Sequence, residues 1–183
     1  MIALHADATR SLNRWAAPDA EQERLRTHYL RHLATYDDGL SRERLPEHVT
    51  ASALVLDPDG GRVLLNLHTK VGRWLQFGGH CEPADETLAG AALRETREES
   101  GLDLLDLDPV PVQLSRHQVR CGGGPSYHLD VQYVAVPTGD AEAVCSSESD
   151  ELRWFGVDEL PSDADHAVVS LVRRSVRRLA VLS

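Results

Sequence analysis

Arg94-Glu95-Thr96-Arg97-Glu98-Glu99-Ser100-Gly101-Leu102 decides how this chain is read. Its three carboxylates, Glu95, Glu98 and Glu99, fall at i, i+3 and i+4, positions that share one face of a helix. Like charges that close repel one another, so a helix carries them where a cation sits among them. A hard divalent cation suits such a face, because Mg²⁺ takes oxygen ligands and joins carboxylates to substrate phosphates. The competing reading is a solvated acidic face partnered by Arg94 and Arg97. The stretch just upstream weighs against it. Gly78-Gly79-His80-Cys81-Glu82-Pro83-Ala84-Asp85-Glu86 is a polar, glycine-led loop, and glycine lets backbone approach a metal or phosphate closely. It runs through the small residues of Thr87 to Leu93 into the acidic helix, a layout for binding a metal–diphosphate.

On these residues the chain resembles the Nudix hydrolase family. That family's signature is Gly, five residues, Glu, seven residues, then Arg-Glu-aliphatic-x-Glu-Glu-x-Gly-aliphatic. Its second half is matched at Arg94, Glu95, Glu98, Glu99, Gly101 and Leu102. Two departures stand out. Counting back seven residues from Arg94 sets Glu86 at the first acidic position and His80, rather than Gly79, at the leading glycine, so the loop is one residue longer than usual and Asp85 competes with Glu86. Thr96 replaces the usual aliphatic residue. The resemblance covers about residues 48–161, with its specific part at 78–102, and implies an α/β/α sandwich around a mixed sheet.

The bulk numbers bound the class of protein rather than its substrate. A chain of 183 residues is one ordinary domain with room for an extension, and 42% hydrophobic residues support a core. A net charge of −10 argues against binding a nucleic acid polymer, whose footprint is a basic patch. No apolar run approaches the ~20 residues that cross a membrane, and Met1 to Asp7 has neither the basic nor the apolar part of a signal peptide. Cys81, Cys121 and Cys145 are scattered and odd in number, which fits reduced thiols in a cytoplasmic protein, and they lack the Cys-x-x-Cys spacing of a zinc site.

Along the chain, residues 1–47 read as a polar, helical N-terminal extension and residues 48–183 as the domain itself, including a C-terminal helix. In the extension, Pro18 is expected in the first turn of a helix running to about Tyr36, with Leu25, Tyr29, Leu33 and Tyr36 as its apolar stripe. The expected role is an extension packed on the domain, with a homodimer contact or a substrate lid as alternatives; removing residues 1–40 is expected to leave the signature chemistry possible while altering assembly, and complete unfolding would make the extension part of the core. Strands are expected at Val49 to Asp57, Arg62 to Leu67, Trp74 to Phe77, Val110 to Val119, Ser126 to Val136 and Leu152 to Phe155. A hairpin centred on Gly122 to Gly124 sets His117 opposite His128. Ser162 is the expected N-cap of a last helix, whose Arg173, Arg174, Arg177 and Arg178 form a basic cluster.

The resemblance implies water attacking a phosphorus of a nucleoside diphosphate derivative, with Mg²⁺, or Mn²⁺, lowering the water's pKa and holding phosphate oxygens. Glu98 and Glu99 are then metal ligands, Glu95 a ligand or the general base, Arg94 the residue that orients a neighbouring carboxylate, and Gly79 a carbonyl ligand. Some members add a carboxylate from a later loop, for which Glu148 is the candidate and Glu151 the runner-up. His80, His68 and His128 are candidates for the substrate side, along with His117, against the alternative of hydrogen-bonded structural histidines. Two other activities stay open: an enzyme like isopentenyl-diphosphate isomerase, which shares the fold and would use Cys81, and a non-catalytic binder of nucleotides or metabolites. The three intact carboxylates favour hydrolysis over both.

Overall fold

The computed structural model describes residues 1–121, 124–139, 143–146 and 149–182. The elements run α1 (Ile2–Arg14), α2 (Ala20–Thr35), β1 (Glu47–Leu56), β2 (Arg62–His68), β3 (Arg73–Leu75), β4 (Phe77–His80), α3 (Leu88–Ser100), β5 (Leu105–Cys121), β6 (Gly124–Pro137), β7 (Ser149–Gly156) and α4 (His166–Leu182). The strands form one mixed sheet in the order β3-β2-β1-β6-β5, with β4 added to β1 and β7 to β2. β1 pairs in parallel with β6, and its other edge is shared: β4 takes Thr50 to Ala53 and β2 takes Val55 and Leu56. The stretch expected as one strand from Trp74 to Phe77 is therefore two. The chain changes partner at Gln76, whose carbonyl accepts a hydrogen bond from Asn66 Nδ2 at 3.1 Å.

Strand alternation sorts the residues into layers. On β1 and β6, Val49, Ala51, Ala53, Val55, Leu129, Val131, Tyr133 and Ala135 enter the core shared with α1, α2 and α3. Leu54, Leu56 and Val134 face the other way, against Val168, Leu171 and Val172 of α4. Between these apolar zones the α4-side face carries buried polar residues. Asp130 is their acceptor: Thr50 Oγ1, Ser52 Oγ and Gln132 Nε2 donate to its carboxylate at 3.1, 2.7 and 2.9 Å.

Residues 1–47 hold two helices rather than one. Pro18 precedes the second, and Asp19 is its N-cap, with Oδ1 accepting from the backbone N–H groups of Glu21 and Gln22. Leu4, Ala8, Leu12, Trp15, Tyr29 and Leu33 sit in the same core as the sheet. Polar contacts lock these helices further. Gln22 exchanges two hydrogen bonds with the backbone of Leu114 on edge strand β5, at 2.7 and 3.0 Å, covering strand groups that would otherwise be open. Tyr29 donates its hydroxyl to the Ser115 carbonyl at 2.8 Å. Asp7 of α1 accepts from the backbone N–H of Leu88, the first residue of α3, so the extension supplies part of the signature helix's N-terminal capping.

The cap of α4 is Asp165 rather than Ser162: its Oδ1 accepts from Ala167 and Val168 N–H at 2.7 and 3.2 Å. A carboxylate one residue before the first turn reaches the free N–H groups, and Ser162 lies too far upstream. Half of the basic cluster on α4 is neutralised within the chain, Arg174 by Asp19 and Arg178 by Asp108, while Arg173 and Arg177 face solvent.

The β1–β2 turn gives a pH-dependent test. Asp57 Oδ1 accepts from Gly61 and Arg62 N–H at 2.8 and 3.0 Å, and Oδ2 from Arg62 Nε at 3.0 Å. Burial pushes this carboxyl up, but the bonds from Arg62 and Gly61 outweigh it and hold the pKa below its ordinary value of 3.8. Two backbone bonds to an ionised acceptor are worth about 2 kcal/mol, and the exposed Arg62 head adds little. Asp57→Ala is expected to lose about that much in urea denaturation at pH 7. Because the folded pKa is depressed, the contribution is full above the unfolded value and is lost as pH falls through the folded one. The gap between wild type and variant should therefore close in acid; a gap that persists unchanged would show that the carboxylate's charge is not its source.

Candidate active site

Thr87 opens α3 by accepting from Gly90 N–H at 2.9 Å, and Gly101, in the left-handed conformation at φ 69°, closes it. Thr96 is fully buried where the usual residue is aliphatic; its hydroxyl donates to the Ala92 carbonyl at 2.7 Å, so no polar group is stranded in the core.

Arg94 organises the loop before the helix. Its Nε and Nη2 grip Asp85 at 3.1 and 3.0 Å, Nη2 also reaches the His80 carbonyl at 3.0 Å, and Nη1 bridges Glu95 and Glu98 at 3.0 and 3.2 Å. Hydrogen bonding to Asp85, then to Glu95, holds the guanidinium firmly protonated. Burial raises Asp85's pKa, but Arg94 and the Glu82 N–H more than offset it and leave it depressed. This geometry corrects the alignment expected from counting back along the chain. Asp85, not the exposed Glu86, takes the first acidic role. Gly79 then keeps the leading-glycine position, and the extra residue falls between Asp85 and Arg94, where the chain enters α3.

Gly78 and Gly79 are required by space. Gly78 has φ 155°, and a Cβ there would lie 2.2 Å from Ser52 Cβ. At Gly79 a Cβ would lie 2.8 Å from Glu95 Oε2, so the backbone runs directly against that carboxylate. Gly78 N–H donates to Glu99 Oε2 at 3.2 Å. Glu95, Glu99, Gly79, His80 and Cys81 line one cavity of about 900 Å³, whose far side is built from Asp37, Asp38, Ser41, Arg42 and Glu43 with Met1. Glu98 lies outside that lining, 59% exposed and turned to Arg94.

The donor chemistry fits a hard divalent cation. The side chains converging here offer carboxylate oxygens, and the Gly79 backbone leaves room where any side chain would fill the approach to Glu95. Glu148 lies outside the described residues. Glu151, on β7, accepts from Arg153 and is not part of the cavity lining. His68 is likewise remote from it, at the end of β2, where its Nδ1 accepts from Lys70 N–H. His117 does face His128 across the β5–β6 ladder. His128 packs against His48, His80 and His117, with ring centroids 5.0, 5.0 and 5.4 Å away. Burial, then the neighbouring imidazoles His117, His80 and His48, press its pKa down to about 3, so it is neutral at physiological pH. Burial pushes the Cys81 thiol up to about 12, away from a reactive thiolate.

Two contributors escaped the sequence reading. The segment from Asp37 to Glu43 has no pattern tying it to a loop some forty residues away. His48 shares strand parity with Thr50 and Ser52, but the parallel partner that places it against His128 is a long-range pairing.

Arg94→Ala is expected to destabilise the protein by about 3 kcal/mol, because it strands the Asp85 carboxylate, only 7% exposed, without its cation. Arg94→Lys should recover only part, since an ammonium lacks the planar fork that serves Asp85 and the His80 carbonyl together. Urea midpoints for both variants check this, and an Arg94→Ala protein as stable as wild type would remove Arg94 as the organiser of the loop.

A mixed sheet layered between helices, with a two-glycine strand feeding a carboxylate-bearing helix at a cavity, defines an α/β architecture whose acidic oxygens line a cavity. A family model for the NUDIX domain matches residues 46–175, and the chain belongs to the Nudix family. Solved structures share the fold. A NUDIX-family hydrolase from Clostridium perfringens is 24% identical, with a TM-score of 0.58 over 74% of this chain and 98% of that one. The Ap4A hydrolase of C. elegans, in a binary complex, is 20% identical with a TM-score of 0.59, covering 73% and 98%. The NUDIX domain of Shewanella oneidensis NrtR, complexed with ADP ribose, is 21% identical with a TM-score of 0.56, covering 81% and 97%. No helix among the described residues is long and apolar enough to cross a membrane.

Proposed function

We propose that this protein is a divalent-metal-dependent diphosphohydrolase acting on a nucleoside diphosphate derivative or a related small metabolite. The observation that carries the reading is the convergence of Glu95, Glu99 and the Gly78-Gly79 backbone on one cavity of about 900 Å³, within the range of small-molecule sites. Glu95, Glu98, Glu99 and the Gly79 carbonyl would hold Mg²⁺ or Mn²⁺. Such an ion supplies charge neutralisation for the diphosphate and a more acidic bound water. The chain's own residues do the rest. Glu95, held by Arg94 at 3.0 Å and pressed against Gly79, is the carboxylate that would take a proton from an attacking water where it does not itself serve as a ligand. Asp85 and Arg94 fix the loop backbone at His80, so the approach to the carboxylates is set before a ligand arrives. The segment from Asp37 to Glu43 closes the far side and brings both signs of charge to the ligand.

An isomerase-like use of Cys81 is disfavoured by its burial and raised pKa. A binder that has lost catalysis is disfavoured by the intact carboxylate set, and the neighbour complexed with ADP ribose keeps that reading open to test. The experiment is a product screen with Mg²⁺ or Mn²⁺ over nucleoside triphosphates, nucleotide sugars, ADP-ribose, dinucleoside polyphosphates and prenyl diphosphates. Metal-dependent release of a nucleoside monophosphate supports the reading. Silence across the panel with one compound raising thermal stability overturns it in favour of binding.

A further inference from the structure

His48, His80 and His128 come from three neighbouring strands, β1, β4 and β6, and offer one ring nitrogen each within 4.8 Å of one another. Register places them on one face of the sheet. His48 is directly opposite His128 in the parallel β1–β6 pair, and His80 is opposite Thr50, two residues along β1. Gly79, one residue before His80, points the other way, toward Glu95. The imidazole rings and the carboxylates of α3 thus lie on opposite faces of β4, His80 being the residue that also borders the cavity of Glu95 and Glu99.

His48 shows what the cluster is built to hold. Its ring is fully buried, and Nδ1 lies 3.1 Å from the Arg44 carbonyl. A carbonyl only accepts, so the proton sits on Nδ1 and Nε2 presents a lone pair. That Nε2 has no hydrogen-bond partner among the described residues. A buried acceptor left unmet is destabilising, so such a group is normally given a partner. Imidazole whose second nitrogen donates to a backbone carbonyl is also the usual arrangement of a metal-bound histidine, because the carbonyl fixes both tautomer and ring orientation. Three imidazoles without a thiolate suit a borderline cation such as Zn²⁺ far better than Mg²⁺, which prefers oxygen.

We propose that His48, His80 and His128 form a site for a divalent transition metal, zinc being its natural occupant, separate from the carboxylate site across β4. Tetrahedral coordination at Zn–N distances of about 2.0–2.1 Å sets nitrogens about 3.3 Å apart, so binding draws the three rings together by small side-chain rotations. His117, which faces His128 across the ladder and is exposed to solvent, or a water would supply the fourth ligand.

The test uses the full chain, stripped with chelator and dialysed against Zn²⁺ in excess Mg²⁺, with metal content measured by mass spectrometry. About one equivalent of zinc should be retained, and it should persist in a Glu95→Gln/Glu99→Gln double variant. His128→Gln and His80→Asn should each weaken zinc binding by at least about 10²-fold while keeping the wild-type circular dichroism. Co²⁺ loaded in place of zinc should give the visible absorption of a nitrogen-ligated tetrahedral site in wild type and lose it in His80→Asn. No zinc retained, or zinc lost in the glutamate variant and kept in both histidine variants, overturns the proposal. Because the glutamate variants separate the two sites, failure here leaves the hydrolase reading untouched.

Discussion

Glu99→Gln is expected to lower kcat by about 10²–10³-fold, with a melting temperature close to that of wild type. The size is that of removing one preorganised electrostatic partner from a reacting centre. Glu99 lines the cavity and accepts from Gly78 N–H at 3.2 Å, so its carboxylate is aimed at the ligand by the backbone of the strand that precedes the loop. Glutamine keeps an oxygen for that N–H, which is why the fold should hold, but it removes the charge that would face a cation. A divalent-metal titration of turnover is the check, since a ligand variant shifts the metal concentration needed as well as the maximal rate. Glu98→Gln is the companion. Its side chain is more than half exposed and turned to Arg94, so it should lose less unless cation binding turns it inward. Near-normal turnover in Glu99→Gln would remove the carboxylate face of α3 from the chemistry.

Deleting residues 1–17 is expected to cost about 5–8 kcal/mol and to abolish the cooperative unfolding transition. Leu4 and Leu12 are fully buried and Trp15 is 7% exposed, all within the core shared with the sheet. Each large apolar side chain removed from the interior is worth about 1.5–3 kcal/mol. Their sum is comparable to the whole stability of an ordinary domain, about 5–15 kcal/mol. The deletion also takes away Asp7, the acceptor for the first N–H of α3, and Met1, part of the cavity wall. Leu12→Ala gives a graded version, expected to cost about 2–5 kcal/mol. A truncated chain that still melts cooperatively within a few degrees of the full one would show that α1 is an appendage. The expectation from sequence, that an N-terminal deletion leaves the signature chemistry possible, is what this experiment puts at risk.

The carboxylate helix was legible because its information is local. Thr87 and Gly101 bracket it, Glu95, Glu98 and Glu99 share a face by period alone, and the preceding glycines announce a close backbone approach. The opposition of His117 and His128 was legible for the same reason, since the connection of a hairpin fixes its register. The helix ends were less so. Pro18 and Ser162 are each reasonable near a helix start, but a carboxylate positioned to reach the free N–H groups, Asp19 in one case and Asp165 in the other, is the cap that forms.

Short-range pattern in this chain determined the family, the signature helix and most strand positions, because helix faces, turns and strand alternation are set within a few residues of one another. Only the tertiary structure decided what those elements meet. It showed that Asp85 rather than Glu86 holds Arg94, that α1 and α2 share the core with the sheet, that the segment from Asp37 to Glu43 walls the cavity, and that His48 joins His80 and His128. Each depends on a contact whose partner is chosen by packing and by parallel strand pairing, and no spacing along the chain records which distant residue will be there.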